Sequence, residues 1–131
     1  MTSTELLALG ESDFIQLTTF RKNGAPVPTP VWVVRDGSAI SAFTPIGAGK
    51  LKRLRHTSRV TVQECSRRGS VEDGTRPIEA TASSSTDPAD VDRVTSLLAK
   101  KYGFQFKVVM LIEKISSRGR SRDRATITIS D

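Results

Sequence analysis

Residues 14–43 read FIQLTTFRKNGAPVPTPVWVVRDGSAISAF, and the fold turns on this stretch. Phe14 to Phe20 is rich in β-branched and aromatic residues. Asn23-Gly24 after it is a hairpin signal, because both positions tolerate positive φ. Two antiparallel strands are expected to meet there. The second runs from about Val27 to Arg35 through Pro28 and Pro30. Prolines at alternate positions remove donors from one side of a strand only, so that side should face a loop, solvent or a ligand. Asp36-Gly37 is a second turn signal, and Ala39 to Phe43 then completes a three-stranded meander.

Before this stretch, Thr4 with Leu6, Leu7 and Leu9 predicts a short helix ended by Gly10 and capped by Ser3 or Thr4. Beyond it, Leu51 and Leu54 at i,i+3 form the apolar stripe of a helix flanked by basic residues. Arg59 to Cys65 and Ile78 to Ser84 read as strands around a polar loop, Ser66 to Pro77. Asp87 as cap and Pro88 in the first turn open a helix with Val91, Val94, Leu97 and Leu98 on its apolar face, closed by Tyr102-Gly103. Phe104 to Ile115 is too densely apolar for periodicity to separate helix from strand, and helix is the reading preferred. Ser116 to Arg124 is polar and basic, and Ala125 to Ile129 alternates as a last strand. About six short strands, joined early by hairpins and interrupted later by helices, predict a closed or nearly closed antiparallel barrel that hides its own edges. The early hairpins disfavour a parallel sheet.

A chain of 131 residues is the size of one ordinary domain with one modest core. Its 37% hydrophobic and 26% charged residues suit a globular protein. The one cysteine, Cys65, cannot close an internal disulfide, so nothing requires an oxidising compartment and a cytoplasmic location is expected. The first twenty residues lack a basic segment before a long apolar run, so no secretory signal is expected. No apolar stretch approaches the roughly 18 residues of a spanning helix. A net charge of +6 implies an anionic partner without saying which.

The position of the charge narrows the choice. In Phe43-Thr44-Pro45-Ile46-Gly47-Ala48-Gly49-Lys50-Leu51-Lys52-Arg53-Leu54-Arg55 a strand ends in a Gly-rich turn that opens a cationic helix. Such a turn can offer backbone N–H groups to a phosphate while Lys50 and Arg53 supply full charges. A solvated basic helix with no ligand is the plain alternative, and the glycines favour the phosphate site.

Arg21 to Trp32, Thr44 to Arg55, Arg59-Val60-Thr61-Val62, Ile78 to Ala82 and Leu97 to Gly103 together resemble the pyridoxamine-phosphate-oxidase-like split-barrel family, and within it the actinobacterial branch assigned to coenzyme F-420. The resemblance covers most of the chain up to Phe104. It implies a single cofactor-binding domain over residues 1–131, mainly β with helices (α+β): a split β-barrel, antiparallel and Greek-key-like, working as a homodimer with the cofactor between two barrels. By the same likeness Thr29, Val31 and Trp32 would line the ring, and Thr44, Lys50 and Arg53 would hold the phosphate, with Lys52 and Arg55 as further candidates. The activity implied is hydride transfer between reduced F-420 and an unsaturated small-molecule substrate. The chemistry then belongs to the cofactor, and no catalytic base is required. Family members often carry a hydroxyl residue just before the lysine, whereas Ala48-Gly49 stands here. That departure weakens a flavin mononucleotide (FMN) reading, which stays as the alternative beside cofactor binding without turnover.

Other features are read as structural. His56 beside Arg55 is a surface side chain, Cys65 a small apolar filler, and no Cys/His spacing suggests a metal. Arg67-Arg68 and the run from Arg118 to Arg122 are solvated loops. Trp32 serves equally well as a core residue or as a cofactor contact, since alternation leaves either face open to it. A nucleic-acid-binding barrel is the rival from another class, but it needs exposed aromatics for stacking, and only 5% of residues are aromatic.

Overall fold

A computed structural model describes residues 4–45, 47–66, 69–71, 74–108 and 124–131. The elements in chain order are α1 (Thr4–Ala8), a 3-10 turn (Leu9–Glu11), β1 (Ile15–Phe20), β2 (Pro26–Val31), β3 (Val34–Asp36), β4 (Ala39–Pro45), α2 (Gly49–Leu54), β5 (Arg59–Glu64), β6 (Ile78–Ser85), α3 (Pro88–Tyr102) and β7 (Arg124–Ser130). A further helical segment begins after Gly103 and covers 104–108. This agrees with the helical reading of that region as far as it is described. Residues 109–123, with the basic run from Arg118 to Arg122, and the pair Arg67-Arg68 lie outside the described residues, as do Ser3 and Ile46.

Among the described residues seven strands form one antiparallel sheet in the order β2-β1-β5-β6-β7-β4-β3. The expected hairpins at Asn23-Gly24 and Asp36-Gly37 are both present, with Gly24 at φ 87° and Gly37 at φ 63°. The meander between them is not. The strand predicted from Val27 to Arg35 divides at Trp32-Val33: its first half pairs with β1 and its second with β4, at opposite edges of the sheet. This division accounts for seven strands where about six were expected.

The same division forces the sheet to curl. Laid flat, seven strands would put the outer two about 29 Å apart. Three Cα–Cα steps, from Val31 to Val34, reach only about 11 Å. The edges are therefore brought together into a barrel with a seam between β2 and β3. Prolines keep that seam from zipping up. Pro26, Pro28 and Pro30 stand opposite Phe20, Thr18 and Gln16, so β1 is bonded through the intervening residues and the missing donors lie on the free side of β2.

Alternation along each strand fills the barrel. Ile15 and Leu17 of β1, Ile40 of β4, Val60 and Val62 of β5, and Ile127 and Ile129 of β7 are fully buried together, and Leu6 of α1 and Leu51 of α2 join them. Each such side chain contributes roughly 1.5–3 kcal/mol on burial. A second cluster lies outside the barrel, where Val94 and Leu98 of α3 pack with Val34 and Phe106, flanked by Trp32, Phe43 and Tyr102. The predicted cap of α3 is in place: Asp87 accepts from the Ala89 N–H at 2.9 Å.

The end of α3 ties this layer to the seam. Lys101 Nζ donates to the carbonyls of Gly10, Ser12 and Val33 at 2.7, 2.5 and 2.6 Å. Tyr102 Oη donates to Asp13 O at 2.6 Å and accepts from Val33 N–H at 3.2 Å. Two adjacent side chains thereby fasten both the amino-terminal segment and the corner through which the chain changes edges. Among the described residues no helix is long and apolar enough to cross a membrane.

Candidate cofactor site

β4 delivers the site residues in order. Ile40, Ala42 and Thr44 alternate onto the barrel's inner face, and the chain then turns at Pro45, where the carbonyl accepts from Ala48 N–H, into α2. Thr44 is 2% exposed, and its Oγ1 has no hydrogen-bond partner among the described residues. A buried hydroxyl left unpaired costs about 1–3 kcal/mol, which an acceptor or donor on a ligand would offset.

α2 is short and amphipathic, with Leu51 buried against the barrel core and Lys50 half-buried beside it. Burial, and after it the neighbouring charge of Arg53, holds the Lys50 ammonium below its ordinary pKa. Arg53 is fixed from below: its Nε donates to Thr19 Oγ1 at 2.6 Å, and Thr19, on the inner face of β1, is 1% exposed. Its guanidinium lies over Gly49, where a Cβ would stand 2.8 Å from Nη1, so the missing side chain at that position makes room for it. Among the described residues neither Lys50 nor Arg53 forms an ion pair. Two half-buried cations without counter-charge, on the segment that carries an unsatisfied hydroxyl, form an arrangement suited to a phosphoryl group.

The remaining candidates divide between two places. Thr29 and Val31 stand on the inner face of β2, opposite Leu17 and Ile15. Trp32, the next residue, turns to the outer layer, where its ring stacks on Tyr102 at 4.5 Å and 13° and lies 6.1 Å from Phe106. Lys52 is exposed on α2, and Arg55 and His56 are exposed in the turn that follows it. Cys65 is buried, and burial followed by the charge of Glu64 pushes its thiol pKa up, away from reactivity. Thr19 was not singled out in the sequence. A threonine within an alternating strand looks like any other filler, and only its contact with Arg53 distinguishes it.

Residues 4–130 match the family described as Pyridoxamine 5'-phosphate oxidase, and the chain belongs to that family. Comparison with curated proteins gives no match. Among solved structures the chain is similar to a conserved hypothetical protein from Mycobacterium tuberculosis, with a TM-score of 0.68 and 19% identity over 98% of this chain and 79% of the other. It is similar also to the heme storage protein from Vibrio cholerae, with a TM-score of 0.64 and 14% identity over 99% and 90% of the two chains. A third similar structure is an F-420 reductase, with a TM-score of 0.61 and 15% identity over 98% and 94%. At these identities the likeness is one of fold: the antiparallel split barrel. The names attached to that fold span a reductase and a heme store, so the fold leaves the chemistry to the site.

Proposed function

We propose that the chain is a coenzyme F-420-dependent oxidoreductase of the actinobacterial type, a cytoplasmic homodimer that passes a hydride between reduced deazaflavin and an unsaturated small molecule. The observation that carries this reading is the half-buried pair Lys50 and Arg53, which among the described residues has no counter-charge, on the same segment as the Thr44 hydroxyl, which has no hydrogen-bond partner among them. These residues fit a phosphorylated cofactor. Lys50 and Arg53 would hold the phosphoryl group, and Thr44 would donate or accept at the same end of β4. Thr29 and Val31, on the inner face of β2, would border the ring from the barrel side, while Trp32, stacked on Tyr102 in the outer layer, would reach it only from the opposite side of the strand. Exposed Lys52 and Arg55 would meet the anionic tail. Bound deazaflavin supplies the hydride; the protein's part is to bind, orient and exclude water.

FMN is the second reading. Two cations and an unpaired hydroxyl also match the dianion of a phosphate monoester.

Titration with F-420 and, separately, with FMN, followed by cofactor fluorescence, tests both. The expected result is binding of F-420 in preference to FMN, weakened about tenfold or more in Lys50→Ala, since a charge-assisted contact to phosphate is worth at least about 1.4 kcal/mol. Preference for FMN would move the protein to the flavin reading, and binding of neither would overturn both.

A further inference from the structure

We propose that Thr19 is a positioning residue for the cofactor's phosphoryl group: its hydroxyl fixes Arg53 through Nε, so that the two Nη amines are already set when the anion arrives. The inference rests on the phosphate reading of Lys50 and Arg53 and adds to it a residue on a different strand.

Three observations converge. Thr19 Oγ1 accepts from Arg53 Nε at 2.6 Å across 34 residues of sequence, and the threonine is 1% exposed, so the anchor is itself held by core packing. The guanidinium occupies the space that a side chain at Gly49 would fill. Among the described residues Nη1 and Nη2 make no hydrogen bond, so the bond at Nε uses the one donor that a bidentate Nη1/Nη2 contact to a phosphoryl group does not need. A free arginine carries rotamer entropy that must be lost on binding. Anchoring at Nε removes part of that loss in advance, which is how a residue that never touches the ligand strengthens its binding.

The phosphoryl group could belong to F-420, as a diester, or to FMN, as a monoester. The test therefore uses matched pairs: F-420 against its deazaflavin alcohol lacking the phosphate tail, and FMN against riboflavin, each titrated into wild type, Thr19→Val and Thr19→Ser. Loss of the Nε anchor should weaken the phosphorylated member of the pair that binds about five- to tenfold in Thr19→Val, as expected when part of the arginine's rotamer entropy has to be lost on binding. The phosphate-free member should change less than about twofold, and Thr19→Ser should restore the difference. The pair showing the effect identifies the source of the phosphoryl group. If Thr19→Val weakens both members equally and lowers the thermal midpoint, Thr19 is only a core residue and the proposal fails. If the preference for phosphate in wild type persists undiminished in Thr19→Val, the positioning role fails while the phosphate site stands. If wild type shows no preference for phosphate in either pair, the underlying reading of Lys50 and Arg53 fails first.

Discussion

Tyr102 is the only tyrosine in the chain, and it joins two layers of the molecule through one hydroxyl. Burial pushes its pKa from 10.0 up to about 12, against the opposing effect of the hydrogen bond to the Val33 backbone. The folded protein therefore holds this proton where the unfolded chain has lost it. Stability from this group is complete below about pH 10 and is lost as pH rises toward about 12. A spectrophotometric titration of phenolate absorbance reads this residue alone. It should show a midpoint near 12 in the folded protein, and a midpoint near 10 would mean that Tyr102 is not held as described. Its neighbour Trp32 shows how a residue's role can hide in the sequence. Alternation left the indole free to face either way, and the stack on Tyr102, fixed by a helix some seventy residues later, decides it.

At the scale of elements, α3 matters most through its last turn. Lys101 places three ammonium donors on three carbonyls drawn from the amino-terminal segment and the β2–β3 corner. Replacing Lys101 by Met keeps the aliphatic stem but takes the ammonium donor from all three carbonyls, of which, among the described residues, Val33 O alone keeps a second donor, Tyr102 Oη at 3.0 Å, at a cost of about 3 kcal/mol. Denaturant unfolding of Lys101→Met should show that loss, and an unchanged midpoint would mean that the clamp is ornamental. Most elements were legible beforehand because each rests on a local cause: Asn23-Gly24 for one hairpin, Asp87-Pro88 for the start of α3, β-branched and aromatic residues for β1, alternation for β5 and β7. The division of the 27–35 run was not legible. A strand that leaves one edge and enters another keeps the same composition and nearly the same alternation throughout. What splits it is the curl of the whole sheet.

For the molecule as a whole, the curl is what makes a site possible. A flat sheet would expose one face of β1 and β2. The barrel instead turns Thr19, Thr29 and Val31 inward, and α2 packs Leu51 into the same core, so that Arg53 reaches Thr19 from a helix 34 residues away. The cationic turn from Gly47 to Arg53 was readable in the sequence, since charge and glycine stand side by side there. The support beneath it was not, because contact between β1 and α2 has no sequence period. Whether a phosphorylated cofactor sits at the β4–α2 turn can be seen in a crystal structure of the protein with F-420. Phosphoryl oxygens are expected within hydrogen-bond reach of Lys50 and Arg53, with the Thr19 contact intact. Cofactor bound away from that turn, with Lys50 and Arg53 facing only solvent, would contradict that placement.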